Sequence, residues 1–334
     1  MAQTQTPLLQ VRDLKTYFNI GGTWAKAVDG VSFDIFPGEV LGIVGESGSG
    51  KSVTALSLMK LIPDPPGRIM SGSIMYKGQD IALLPYEDMY SVRGKEIAMI
   101  FQEPMTSLNP VFKIGMQIAE VAQSHLNMNE KEALEHAVEM LRLVGIPDPE
   151  KRINDYPHQF SGGMRQRVMI AIALACNPSI LIADEPTTAL DVTIQAQILE
   201  LMLELQKKRG DAAIVLITHD LAVVAEMCQR VIVMYGGKVQ EIAEINDLFN
   251  NPLHPYTQGL LASIPRPKRN RDRNEKLKAI PGNVPSIMNL PQGCKFCTRC
   301  EVKIDICDTV EPELVEITPG HFVRCHLVKK EATV

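Results

Sequence analysis

Gly45-Glu46-Ser47-Gly48-Ser49-Gly50-Lys51-Ser52 fits the pattern G-x-x-x-x-G-K-[ST] at every defined position. The glycines let the backbone curl until successive N–H groups point inward, which makes a cradle for an anion. Val53 opens a helical continuation, Val53-Thr54-Ala55-Leu56-Ser57-Leu58-Met59, whose start adds partial positive charge. Lys51 is placed to reach outer phosphates, and the Ser52 hydroxyl to ligate Mg²⁺. The competing reading is a glycine-rich turn with no ligand. The Lys, the Ser and both flanks count against it.

A second chemical constellation is Ile180-Leu181-Ile182-Ala183-Asp184-Glu185, an apolar strand ending in two carboxylates. Buried carboxylates need compensation, and a metal–phosphate site supplies it. Asp184 would hold Mg²⁺, and Glu185 would take the proton from an attacking water. A strand running into a solvated turn is the alternative. Phe160-Ser161-Gly162-Gly163-Met164-Arg165-Gln166-Arg167 then precedes the apolar run Val168 to Ala175. Ser161 with Gly162 and Gly163 at a helix start forms another anion cradle by the same backbone logic. If the two cradles cannot reach one phosphate within a monomer, the site must be shared between two chains.

These groups need elements to position them. Val40-Leu41-Gly42-Ile43-Val44, Ile180–Ala183 and Ala213-Ile214-Val215-Leu216-Ile217 are continuously apolar, as strands buried on both faces of a parallel sheet are. Leu8–Val11 and Val31–Ile35 read as earlier strands, the second alternating apolar and polar. Ile198, Leu201, Met202 and Leu205 recur at helical spacing. A helical region is expected from about 110 to 147, with the stripe Leu134, Ala137, Val138 and Leu141, a cap at Asn129 and a stop at Gly145 before Pro147. From Arg266 to Lys278 the chain turns basic and polar, which reads as a solvated connector or, more sharply, as a contact for acidic lipid or a partner.

The 334 residues allow one large domain plus a small one. A hydrophobic content of 45% and charged content of 22% are ordinary for a soluble globular protein. The net charge of −5 argues against nucleic acid as a partner. The N-terminus lacks the basic start and apolar core of a signal peptide, and no apolar run approaches a membrane span. The expectation is a cytosolic chain whose membrane role comes through partners.

Of the seven cysteines, Cys176 and Cys228 lie in apolar surroundings and read as small core residues. The other five crowd into Cys294-x2-Cys297-x2-Cys300-x6-Cys307-x17-Cys325. In a reducing compartment that crowding favours metal over disulfides. The fourth cysteine is too distant, and lacks the following Pro, for a bacterial ferredoxin run. Four thiolates also suit tetrahedral Zn²⁺. The tail is expected to form a small separate module.

The order of motifs over residues 8 to 250 resembles the ATP-binding subunit of an ABC transporter. It comprises Gly45–Ser52, Gln102 in Ile100-Phe101-Gln102-Glu103-Pro104, Ser161-Gly162-Gly163, Asp184-Glu185, Ala189-Leu190-Asp191, and His219 in Thr218-His219-Asp220. The resemblance implies an α/β P-loop ATPase fold with a RecA-like core, an antiparallel β subdomain and a helical subdomain at about 103–178. It implies a head-to-tail dimer with two ATP at the interface. Each would lie between one chain's phosphate loop, Gly45 to Val53, and the other chain's Ser161, Gly162, Gly163 and Asp191. Gln102 would join Ser52 and Asp184 at Mg²⁺, His219 would contact the γ-phosphate, and Phe18, or else Tyr17, would stack on adenine.

Met164 stands where the wider family has Gln, a variant typical of the oligopeptide and dipeptide importers. Phe101 to Pro110, Pro252-Leu253-His254-Pro255-Tyr256-Thr257 and the tail from Ile280-Pro281-Gly282 are similar to the same branch. That branch implies a C-terminal region at 251–334, with a [4Fe–4S] cluster on Cys294, Cys300, Cys307 and Cys325; Cys297 falls where relatives usually lack cysteine. It also implies a second ATPase subunit, usually a different chain, two membrane permease subunits, an extracytoplasmic binding protein, and a place on the cytoplasmic face of the membrane. The implied cargo is peptide, with nickel chelates or oligosaccharides as alternatives. A soluble ABC protein of translation or repair is disfavoured, because those carry two ATPase units or a long coiled-coil insertion.

Overall fold

The computed structural model describes residues 6–102, 107–188, 191–264 and 279–328. The basic connector, Glu103 to Thr106 and Ala189-Leu190 lie outside them. The chain divides into two compact units.

One unit comprises Leu9–Asp34, Val40–Ala82 and Thr218–Val334. It contains an antiparallel sheet in the order β2-β1-β4-β5, with β1 (Leu9–Ile20), β2 (Thr23–Ile35), β4 (Gly67–Tyr76) and β5 (Gln79–Asp80). The first strand runs well beyond the expected Leu8–Val11. Its register against β4 shifts between Arg12 and Thr16, where Asp13 takes φ 46°. That bulge changes the parity of the buried face: Leu9 and Val11 precede it, and Leu14 and Thr16 follow it. Phe18 therefore shares a face with Thr16, while Tyr17 points the other way.

A second sheet in this unit runs β11-β12-β10-β9-β3, from Val315–Thr318, His321–Val323, Lys238–Glu244, Arg230–Tyr235 and Val40–Val44. β3 and β9 are parallel, pairing Gly42 with Val231 and Val44 with Val233. The cysteine-bearing tail does not stand apart as expected. Its hairpin adds to β10, with Glu241 opposite Val323 and Ile242 opposite Phe322. Pairing there satisfies an edge that would otherwise leave backbone groups unbonded. The join is reinforced by buried Glu241, which accepts from the Leu253 and His254 amides and lies 2.7 Å from His321 Nε2.

The other unit comprises Met1–Leu8, Ile35–Glu39 and Leu83–Ile217. Its strands β6 (Ile97–Ile100), β7 (Ile180–Asp184) and β8 (Ala213–Thr218) are parallel in the order β8-β7-β6. Ile180 pairs with Ala213 on one side and Ile97 on the other. Every residue of β7 and β8 is buried, as continuous apolarity requires.

The helical region from 110 to 147 is two helices, α2 (Ile114–Leu126) and α3 (Glu130–Leu143). Asn127 at φ 56° ends the first. Asn129 caps the second through a capping box with Glu132, worth about 1 kcal/mol. The stripe of α3 centres on Ala133, Ala137 and Leu141, with Leu134 and Val138 at its half-buried margins. Further on, α4 (Gly162–Leu174) and α5 (Val192–Arg209) follow the second cradle and Asp191. On α5 the buried face is Ile198, Leu199 and Met202, with Leu201 and Leu205 half-buried. Cys176 and Cys228 are buried, as small core residues should be.

Candidate active site

The phosphate-type loop runs from β3 to α1 (Lys51–Leu58). Gly50 occupies the N-cap of α1 in a left-handed conformation, which frees the following N–H groups to face the loop's interior. Lys51 is buried, and its ammonium donates to the Gly45 and Glu46 carbonyls at 2.7 and 3.1 Å. The charge thus sits over the loop's own mouth. Ser47 and Gly48 are exposed, while Ser52 and Val53 are half-buried at the start of the helix. Ser49 is buried, and its carbonyl accepts from the Gly237 amide.

On β1, the Tyr17 hydroxyl donates to Asp29 at 2.6 Å, and Lys238 approaches Asp29 at 3.2 Å. Burial opposes charge on Asp29, yet Tyr17 and Lys238 hold its carboxyl below the usual range. Lys238 also meets Glu311, which Lys295 approaches at 2.9 Å. Phe18 has no polar tie of this kind. Its ring lies against Gly67, where an added Cβ would come within 2.6 Å of Phe18 Cε1. Of the two aromatics, only Tyr17 is tied by a polar group, to Asp29.

In the other unit, Asp184 ends β7 and is buried. Glu185 follows at φ 46°, a left-handed conformation uncommon for glutamate. Its amide donates to the Ile217 carbonyl, which fixes the turn. Its carboxylate accepts from Gln102 Nε2 and from the Thr188 hydroxyl, both at 2.9 Å to the same oxygen. Gln102 and Glu185, 83 residues apart, are therefore brought together. Thr188 was not singled out from the sequence; only its place three residues after Glu185 hints at it.

Ser161 caps α4, its hydroxyl accepting from the Met164 amide at 3.3 Å. Gly162 and Gly163 form the first turn. Gly163 lies so close to Ile194 that a Cβ there would fall 2.8 Å from Ile194 Cγ2. Asp191 caps α5 by accepting from the amide of that same Ile194 at 3.0 Å. The second cradle and Asp191 are thus adjacent through one residue. His219 is exposed beyond β8, just before the helix α6 (Leu221–Met227), which Asp220 caps.

Cys307 lies within electrostatic reach of each of the other four tail thiols. Burial, above all, pushes Cys294 up to about 12, with Cys307, Cys297 and Cys325 contributing. Burial also raises Cys300, Cys297 and Cys325. Among the described residues, however, no three His, Cys, Asp or Glu side chains are arranged to hold a metal ion. The expected cluster on Cys294, Cys300, Cys307 and Cys325, or zinc in its place, finds no ligand set in this arrangement.

The tail contributes two contacts that the sequence did not disclose. Tyr256 and Arg299 both reach Glu46 in the phosphate-type loop. Neither has a local signal, because each is more than two hundred residues away in the chain.

Comparisons with known proteins agree with this geometry. The family described as "ABC transporter" matches residues 28–188. "Oligopeptide/dipeptide transporter, C-terminal region" matches residues 240–307. The chain is 55% identical to the probable peptide ABC transporter ATP-binding protein y4tR of Sinorhizobium fredii, over 95% of this chain and 94% of that one. It is 55% identical to the oligopeptide transport ATP-binding protein AppD of Bacillus subtilis, over 97% of this chain and 98% of the relative. OppD of the same organism is 53% identical over 98% of this chain and 90% of its own. Among solved structures, the dimeric post-hydrolysis ATP-binding cassette MJ0796 with ADP and Pi superposes with TM-score 0.64 at 27% identity, covering 71% of this chain and 98% of that one. Fold, motifs and relatives converge: the chain belongs to the ATP-binding subunits of ABC transporters.

Proposed function

We propose that the chain hydrolyses ATP to power import of di- and oligopeptides through a membrane ABC transporter. The observation that carries this is 53–55% identity over nearly the whole chain to oligopeptide transport ATP-binding proteins, with the phosphate-holding Ser and Gly residues and the two carboxylates in place. Gly45 to Val53 would cradle the phosphates, with Lys51 neutralising their charge. Ser52, Gln102 and Asp184 would hold Mg²⁺, which supplies charge stabilisation of the transferring phosphoryl group. Glu185 would accept the proton of the attacking water, with Gln102 and Thr188 orienting its carboxylate through one oxygen. His219 would meet the γ-phosphate, and Phe18 would stack on adenine. Ser161, Gly162, Gly163 and Asp191 would serve the nucleotide of a second ATPase subunit, for which the exposed start of α4 and its link through Ile194 to Asp191 are suited.

Two permease subunits and an extracytoplasmic binding protein complete the reading, which places the chain at the cytoplasmic face of the membrane. Exposed Val111, Phe112 and Met116 at the start of α2, beside a groove lined by Gln117, Glu120 and Leu134, give a permease helix an amphipathic seat. On this reading residues 8–250 are the ATPase domain and 251–334 the importer-type C-terminal region. The branch resemblance also assigns a [4Fe–4S] cluster to Cys294, Cys300, Cys307 and Cys325, although among the described residues no three such side chains are arranged to hold a metal ion. Iron and sulfide assays on anaerobically purified protein test that assignment, and stoichiometric zinc or metal-free protein would overturn it.

The function is tested by co-purifying the chain with its membrane subunits, reconstituting them in vesicles, and supplying binding protein loaded with defined peptides. Peptide-dependent ATP hydrolysis and uptake are expected. Stimulation by a nickel chelate or an oligosaccharide but by no peptide would overturn the cargo while leaving the ATPase intact.

A further inference from the structure

Arg299 lies in the tail between Cys297 and Cys300, yet its guanidinium ends in the phosphate loop. Nη1 is 2.5 Å from Glu46 Oε2 and Nη2 is 3.1 Å from Glu46 Oε1, the parallel fork of a bidentate pair. Arg299 is itself held before it gets there. Its Nε donates to the Pro281 carbonyl at 2.9 Å, and the guanidinium sits 5.9 Å from the centre of the Tyr235 ring. The Arg299 side chain is only 4% exposed. Glu46 is gripped at its backbone too, its amide donating to the Tyr256 hydroxyl at 2.8 Å, and Tyr256 is fully buried.

We propose that Arg299 is a positioning residue for nucleotide binding, acting through Glu46 to set the charge and shape of the phosphate loop. The proposal rests on the reading of Gly45 to Val53 as the ATP-binding loop. Two physical arguments carry it. A carboxylate in the second position of an anion cradle opposes the anion, and a bidentate guanidinium cancels that charge where it arises. The Glu46 carbonyl also accepts from Lys51, so fixing Glu46 at its carboxylate and its amide fixes the seat of the ammonium that meets the outer phosphates. Tail and loop are thus one preorganised body, although 253 residues separate the pair.

The test measures fluorescent-nucleotide affinity of the full chain, then ATP KM and kcat in the assembled transporter. Arg299→Ala should weaken nucleotide binding about tenfold and raise KM accordingly, with kcat changed less than about twofold, because the lost term acts on binding the anion. Glu46→Gln in the Arg299→Ala background should recover most of the affinity, since it removes the unpaired charge. A purely structural role would lower the melting temperature without this KM-specific loss or its rescue. Arg299→Lys keeps the charge but not the fork; it should fall between wild type and Arg299→Ala, and it carries the test if the alanine variant does not fold. Wild-type affinity in both Arg299 variants, while Lys51→Ala abolishes binding, would overturn the proposal. Nucleotide binding that survives Lys51→Ala would instead overturn the reading of the loop.

Discussion

Gln102 and Glu185 share a hydrogen bond of 2.9 Å from the Gln102 amide to one carboxylate oxygen of Glu185. Thr188 donates to that same oxygen. Glu185 sits at a left-handed φ, and its own amide is tied to Ile217. Backbone strain at a single position is tolerated when several bonds over-determine it. The result is a carboxylate held in a fixed orientation through one oxygen, which suits the base role proposed for it.

Replacing Glu185 with Gln keeps the shape and both donors' partner while removing the base. ATP hydrolysis should fall by roughly 10² to 10⁴-fold, with nucleotide affinity preserved. Phosphate release and equilibrium nucleotide binding measure the two separately. Because turnover is what would separate the two subunits, the variant should accumulate as an ATP-bound dimer on size-exclusion chromatography. Wild-type turnover in Glu185→Gln would remove Glu185 from its assigned role.

Gln102 and Thr188 hold the same oxygen, so their contributions are expected to overlap. Gln102→Ala and Thr188→Val should each lower kcat by roughly five- to tenfold, the effect of one bond to a partly exposed carboxylate. The double variant should lose more than the product of the two, since the remaining donor holds the carboxylate in each single variant and neither does in the double. Strict multiplication of the two effects would mean that the two donors act independently of one another.

What could be read from the sequence was what is local. The loop Gly45–Ser52, the strand ending in Asp184-Glu185 and the Asn129 cap each carry their physics within about ten residues, so spacing alone exposes them. The bulge at Asp13 was not legible, because it changes only the parity of burial between Val11 and Leu14. The extension of the sheet by the tail was hidden as well. Lys238-Val239-Gln240-Glu241-Ile242 looks polar, yet Glu241 and Gln240 are fully buried, Glu241 paired by His321 from far along the chain and Gln240 donating to the Tyr235 carbonyl. Arg299 reads as one more basic residue among cysteines until the fold delivers it to Glu46.

Gly50 tests the loop's dependence on a backbone only glycine adopts freely. Its φ is 104°, and an added Cβ would stand 2.5 Å from the Ala27 carbonyl oxygen. Gly50→Ala should therefore cost about 1–3 kcal/mol of stability and distort the start of α1. Nucleotide affinity should drop far more than the melting temperature, because the amides that follow Gly50 lose their common aim. Unchanged affinity in a folded Gly50→Ala protein would show that the loop tolerates another backbone path.

His254 makes the folded state sensitive to acid. It is buried at the N-cap of the helix α7 (Pro255–Ala262), where its Nδ1 accepts from the Tyr256 amide at 3.0 Å. Burial, above all, lowers its pKa to about 3, so the folded chain keeps it neutral while the unfolded chain protonates it near 6.5. The stability it confers is complete above pH 6.5 and declines as pH falls toward 3. The slope approaches 1.4 kcal/mol per pH unit, or roughly 2 kcal/mol between pH 6.5 and 5. His254→Asn retains an acceptor for the Tyr256 amide and does not titrate. Chemical denaturation at pH 7.5, 6 and 5 should show a shallower acid loss in the variant, whatever its stability at neutral pH. Parallel pH dependence in the two proteins would place the acid sensitivity elsewhere, since only the proton on His254 distinguishes their unfolded states.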